Sequence, residues 1–197
     1  MIPAPSIDRL ARLGAPAGYL AAALALVALP LFLVVVGRGT ISEAAESPVF
    51  YAPTLAALGS TIALLVALLA LYLPHAESLG ILGLVGFLAA LLGTALAVGA
   101  AWSYVFVVPY LADNAPELAN SSTGSVLVGF VLSYLLMGLG WLLLAVLWLR
   151  LGAYRRWAVV LLAVGSVVTI APMPSRTLLL CVGVACIGHL ARREGQR

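Results

Sequence analysis

The chain reads as long uninterrupted apolar runs separated by short polar stretches. A helix that crosses a bilayer needs about 20 mostly apolar residues. Six runs approach that length, at residues 17–36, 54–73, 79–108, 124–149, 157–171 and 177–190. Their ends carry breaking residues. Gly37-Arg38-Gly39 ends the first, Pro53 and Pro74 bracket the second, and Pro109 is the expected stop of the third. Arg150 closes the fourth, and Pro172-Met173-Pro174 separates the last two. The pattern predicts an all-α, polytopic transmembrane helical bundle. It forms one domain over residues 1–197, with short connections.

Arg9 and Arg12 precede the first run, as in a signal peptide, but about 20 apolar residues exceed the usual 7–15 of a cleaved leader. An uncleaved signal-anchor helix is expected. The fifth run has 15 residues and rises about 22 Å, against about 30 Å of hydrocarbon. The last two runs either span, with Tyr154, Trp157 and Arg176 snorkelling, or form a shallower hairpin. A single kinked helix through 157–190 is the third option.

Charge placement bears on that choice. With six crossings and the N-terminus inside, Arg9, Arg12, Arg150, Arg155, Arg156, Arg192, Arg193 and Arg197 are cytoplasmic, and Arg38 and Arg176 lie outside. Cytoplasmic loops of membrane proteins are enriched in Arg and Lys. Merging the last two runs would strand the C-terminal arginines outside, so six segments with both termini cytoplasmic are favoured. Aromatic residues also sit where interfacial belts would put them. Phe50, Tyr51, Trp102, Tyr104, Phe106 and Tyr110 lie toward the outer side, and Tyr72, Trp148, Tyr154 and Trp157 toward the inner.

Composition sharpens the class. The 197 residues are 64% hydrophobic and 9% charged, with mean hydropathy +1.17. A soluble domain carries about 25% charged residues, so a soluble globule is excluded. The ten basic residues are all Arg. Without a lysine amine, Schiff-base and P-loop chemistry are absent. The net charge of +3 reflects cytoplasmic loops and not a nucleic-acid partner.

Inside the bilayer, burial does not drive helices together, and close packing at small residues does much of that work. Ala89, Gly93, Ala97 and Ala101 form a small-xxx-small ladder on the third segment. Ala17, Ala21 and Ala25 repeat the spacing on the first, and Ser125, Gly129 and Ser133 on the fourth. These faces are candidates for packing within the bundle, for a homo-oligomer or for a membrane-protein partner.

Candidate chemistry is sparse. No Asp, Glu, Arg or Lys falls inside any of the six runs. Ionisable residues at membrane depth mark proton relays, ion pathways and coupled transport, so those classes are disfavoured. Ser60, Thr61, Thr94, Ser103, Ser133, Tyr134, Ser166 and Thr169 are the neutral polar groups at depth, and Ser or Thr there often bonds its own helix carbonyl. His75 and His189 fall at the cytoplasmic edge, away from any haem or metal geometry. Cys181 and Cys186 are five residues apart on one helix, about 7.5 Å along its axis and beyond disulfide reach. No cofactor, metal site or catalytic residue is expected.

The outer loops hold the one candidate polar site. Glu43, Glu46, Asp113 and Glu117 lie there with Tyr51, Trp102, Tyr104, Tyr110 and Arg176. Paired carboxylates do acid–base work or bind a divalent cation; the alternative is that these acids are simply solvated. Asn120-Ser121-Ser122 matches a glycosylation acceptor, but the Arg-for-Lys, Ala-rich usage is that of a GC-rich bacterial gene, so no glycan is expected.

The stretch GLGWLLLAVLWLRLGAYRRWA at Gly138–Ala158 and the stretch Gly83–Gly99, with Gly-Thr-Ala at Gly93–Ala95, carry a resemblance. Both resemble small six-helix membrane proteins of actinobacteria and related phyla, near the group gathered under the domain of unknown function numbered 4386. The resemblance spans residues 14–190. It implies a six-helix bundle and supplies no catalytic residues.

The expectation is therefore a multi-pass protein of the bacterial inner membrane with the lipid bilayer as its first partner. Its function is read as a non-enzymatic accessory or interaction subunit. The alternative is a binder or carrier of a lipid-like or apolar small molecule, which requires a cavity of a few hundred Å³, the usual scale of ligand pockets. An outward-facing membrane hydrolase requires two of the loop carboxylates to meet in a cleft.

Overall fold

The structure is a computed structural model and describes residues 9–37, 39–121, 123–170 and 176–194. Helix α1 covers Gly14–Val36, the short α2 Ile41–Ala45, α3 Tyr51–Tyr72 and α4 Ala76–Asn114. The short α5 is Pro116–Asn120, followed by α6 Gly124–Leu151, α7 Arg156–Ile170 and α8 Leu178–Glu194. No strand occurs among the described residues. Three stretches are long and apolar enough to cross a membrane: Arg9–Val35, Pro48–Asn114 and Pro116–Leu151. The second holds both α3 and α4, joined through a 3-10 turn at Leu73–His75. The apolar helices α7 and α8 are shorter.

Apolar segments of this composition become helices because every backbone donor then finds an acceptor within its own segment. The expected boundaries hold closely for α3 and α7. Pro53 falls in the first turn of α3, where its missing N–H would have had no helical partner. Pro109 does not act as a stop. Helix α4 runs through it to Asn114. The lost donor is offset by packing, since Ala112 is buried and Val108 and Leu111 pack around it. Gly152 ends α6 in the left-handed region at φ 63°, a cap that glycine adopts without steric penalty. The Pro172-Met173-Pro174 break, Arg38 and Ser122 lie outside the described residues.

The longer helices close into a ring. Each packs against the next in the chain, α1 on α3, α3 on α4, α4 on α6, α6 on α7 and α7 on α8, and α8 returns to α1. Glycines allow the closest approaches. A Cβ on Gly93 would lie 2.1 Å from Met137 N, and one on Gly140 would lie 2.1 Å from Ala90 N. Similar backbone contacts join α7 to α8 at Gly165 and Gly183, and α1 to α8 at Gly18 and Gly188. The ladder on the third segment is thus engaged inside the chain. Gly93 sits on α6 backbone, Ala97 is buried, and the Ala89–Ala90 backbone lies under Gly140. Gly129 on α6 meets nothing, so that ladder is not used in the same way.

The Ser and Thr hydroxyls at depth bond their own helix as expected, with two exceptions. Thr61, Ser133, Ser166 and Thr169 donate to the carbonyls of Ala57, Gly129, Leu162 and Gly165, four residues back. Ser60 instead donates across to Ala21 O at 2.8 Å, tying α3 to α1. Thr94 accepts from Trp141 Nε1 at 3.3 Å, tying α4 to α6. Outward faces are apolar on every long helix, with Leu26 and Val27 on α1, Leu92 and Leu96 on α4, and Val131 and Leu132 on α6 all exposed. Exposed apolar surface of that extent suits lipid and not water.

Two histidine–tyrosine pairs lie at the end of the bundle where α1 starts and α3 finishes. His189 on α8 bonds the Tyr19 hydroxyl on α1. His75, in the turn before α4, lies 3.1 Å from the hydroxyl of Tyr154, whose own proton goes to Leu71 O at 3.4 Å. Both histidines were expected to be loop or helix-end residues, and both also join separate parts of the chain.

Candidate functional site

The half of the ring where α1 finishes and α3 starts, the half expected to face outward, is not filled. A cavity of about 380 Å³ lies there, lined by the second half of α1, the first half of α3, Ala100, Ala101 and Tyr104 of α4, Phe130 and Tyr134 of α6, and Arg176 to Leu178. The reason is a mismatch of lengths. Helix α6 has 28 residues and rises about 42 Å, whereas α7 has 15 and rises about 22 Å. Ile170, the last residue of α7, packs beside Gly138, halfway along α6. Among the described residues no helix of full height stands between α6 and α1, and the cavity lies beyond the end of α7.

Arg176 enters that space. Its guanidinium carbon sits 3.4 Å from the centre of the Tyr134 ring, a cation–π contact. Tyr134 lies ten residues past Gly124, about 15 Å down α6 from its start. The backbone of Arg176 is tied to α7 there, since Thr169 Oγ1 lies 2.9 Å from Arg176 O and 2.8 Å from Gly165 O and shares its one proton between the two carbonyls. An aromatic wall continues from it. Tyr134 stacks on Phe130 at 6.4 Å, Phe130 meets Tyr104 edge-on at 6.2 Å, and Tyr104 meets Phe32 at 6.4 Å.

A small cap lies beside the cavity. Ala44, Ala45, Phe50, Ala112 and Ala119 form a separate apolar cluster, with Tyr104 packed against it. Its elements are fixed by polar contacts. Thr40 and Glu43 form a capping box at the start of α2. Asn120 on α5 accepts from Ser42 N at 3.0 Å and donates to Ser42 Oγ at 2.8 Å. The Asn120 amide is thus engaged in the cap.

Of the residues expected to form an outer site, the cavity gathers only Tyr104 and Arg176. Tyr51, Trp102 and Tyr110 are exposed, as belt residues would be. Glu46, Asp113 and Glu117 are exposed, and Glu43 caps α2 beside a second, smaller hollow of about 260 Å³. None of the four carboxylates lines the large cavity, and no group of three metal-ligating side chains occurs among the described residues. Acid–base or divalent-cation chemistry by these four therefore has no support in their placement. The sequence reading missed Tyr134 and Phe130 as site residues. Their spacing of four on one helix was the available signal, because such residues share a face.

No family model, no curated protein and no solved structure matches the chain.

Proposed function

We propose that this chain is a multi-pass protein of the bacterial inner membrane that binds or carries a lipid-like or apolar small molecule in the outer half of its bundle. In this reading the chain crosses six times with both termini cytoplasmic, the two shorter helices completing the ring. The observation that carries it is the cavity of about 380 Å³, walled mainly by apolar and aromatic side chains with a few polar groups. Ligand pockets have that size and that lining. Without such a cavity a bundle core would simply be filled.

The test is to purify the full chain in mild detergent and identify retained small molecules by native mass spectrometry. Ala57 lines the cavity, and Ala57→Trp fills part of it. The wild type should retain a bound amphiphile and the variant should lose it. Equal retention by both, or none by the wild type after reconstitution in lipid, would end this reading.

The accessory-subunit reading stands second, on a different observation. In the outer half of α6, Val126, Leu127, Val128, Val131 and Leu132 are all exposed, whereas Met137, Trp141, Leu144 and Trp148 in the inner half are fully buried. A second copy or another membrane protein would cover that strip. Val128→Cys should then give a disulfide-linked dimer or a crosslinked partner in membranes, and labelling by a lipid-soluble probe alone would count against it.

A further inference from the structure

We infer that the pocket takes a single-chain amphiphile with an anionic headgroup and that Arg176 anchors the headgroup; this rests on the pocket reading above. The first observation is charge. Arg176 is the one charged residue among the described residues that line the cavity, and no carboxylate faces it from the wall. Arg176 is half-buried, and the Tyr134 ring is the one partner its guanidinium has among the described residues; a cation at the rim of an apolar space is further stabilised when an anion meets it.

The second observation is presentation. The backbone carbonyl of Arg176 is held by Thr169, and its guanidinium rests on Tyr134. Stacking on a ring leaves the in-plane N–H donors of a guanidinium available to a carboxylate or phosphate, which they match in a two-pronged geometry. The hydroxyls of Thr54, Ser60 and Thr61 do not compete, because each already donates to a backbone carbonyl.

The third observation is the wall. Ala25, Leu29, Phe32 and Ala57 present apolar surface to the same space. A small free anion would leave that surface uncovered, whereas an acyl chain would cover it. The volume of about 380 Å³ sits near the lower end of the roughly 300–1,000 Å³ range of ligand pockets. One chain suits it better than the two chains of a phospholipid.

The probe pair is spin-labelled stearic acid and the fatty alcohol of the same chain and label, titrated into the full chain in detergent. The acid should bind more tightly than the alcohol. Arg176→Gln should weaken the acid about tenfold or more, as loss of one charge-assisted hydrogen bond does, and weaken the alcohol by a much smaller factor. Arg176→Lys should restore part of the difference. Equal binding of acid and alcohol, or an Arg176→Gln variant that binds the acid as well as wild type, overturns the headgroup assignment and leaves the pocket standing. Competition by acetate as strong as by unlabelled stearate overturns the amphiphile. Failure of both probes to bind, with Ala57→Trp no different from wild type, removes the pocket reading and this inference with it.

Discussion

Gly140 of α6 lies directly against the backbone of Ala90 in α4, so close that a Cβ on the glycine would stand 2.1 Å from the Ala90 nitrogen. Gly93 repeats the relationship in the opposite sense against Met137. Gly140→Ala and Gly93→Ala should each destabilise the bundle by about 1–3 kcal/mol or more, since two backbones must separate to admit the methyl group. Gly99 and Gly129 are helical glycines with nothing within 4 Å. Alanine there should be neutral or stabilise by about 0.5–1 kcal/mol. Unfolding in mixed micelles with rising SDS fraction measures all four, and a uniform response across them would refute the packing assignment.

The Trp141 indole donates to Thr94 between the same two helices, and both residues are fully buried. Thr94→Val keeps the shape and removes the acceptor. It should cost about 1–3 kcal/mol, the penalty of an unsatisfied buried donor. Thr94→Ser keeps the hydroxyl and should cost distinctly less by the same SDS titration. If the two variants unfold alike, the hydrogen bond contributes nothing measurable.

Burial pulls His75 below the ordinary imidazole value of 6.5. The folded state therefore favours the neutral ring, and the unfolded chain binds its proton more readily. Stability from this group is fully present above pH 6.5 and falls as the pH drops toward the lowered folded value. Thermal unfolding in detergent should show a lower midpoint at pH 5 than at pH 8. His75→Gln should flatten that difference, and a variant with the wild-type pH profile would show that other groups carry it.

Sidedness is testable with single cysteines. Cys181 is buried and Cys186 half-buried, so Cys186→Ser gives a quiet background. In it, Glu46→Cys and Glu117→Cys should react nearly completely with an impermeant maleimide on intact cells. Glu77→Cys and Arg155→Cys should react only after permeabilisation. Labelling of Arg155→Cys in intact cells would overturn the six-crossing topology with both ends inside.

Much of the architecture was legible. The run at 54–73 became α3 at Tyr51–Tyr72 because an apolar stretch between prolines has one way to satisfy its backbone in lipid. Pro109 misled, because burial of Ala112 under the outer cap keeps the helix going beyond it. The site was legible only in its residue types. Tyr104 and Arg176 stood out as outer aromatic and basic residues, but charge placement assigns Arg176 to a loop without giving the depth of that loop. Depth follows from the 15 residues of α7 beside the 28 of α6. The loop carboxylates carried no such signal: whether Glu43 meets Asp113 depends on how α2 seats on α4.

The return of α8 to α1 bears on how the protein is made. Contacts such as Gly188 on Ala15 and His189 on Tyr19 join residues more than 160 positions apart. The first helix therefore enters the bilayer long before its last neighbour is synthesised. Until then Gly18 and Ala15 lack the helix backbone that they pack against in the complete fold. The ring closes only when the final helix reaches the first.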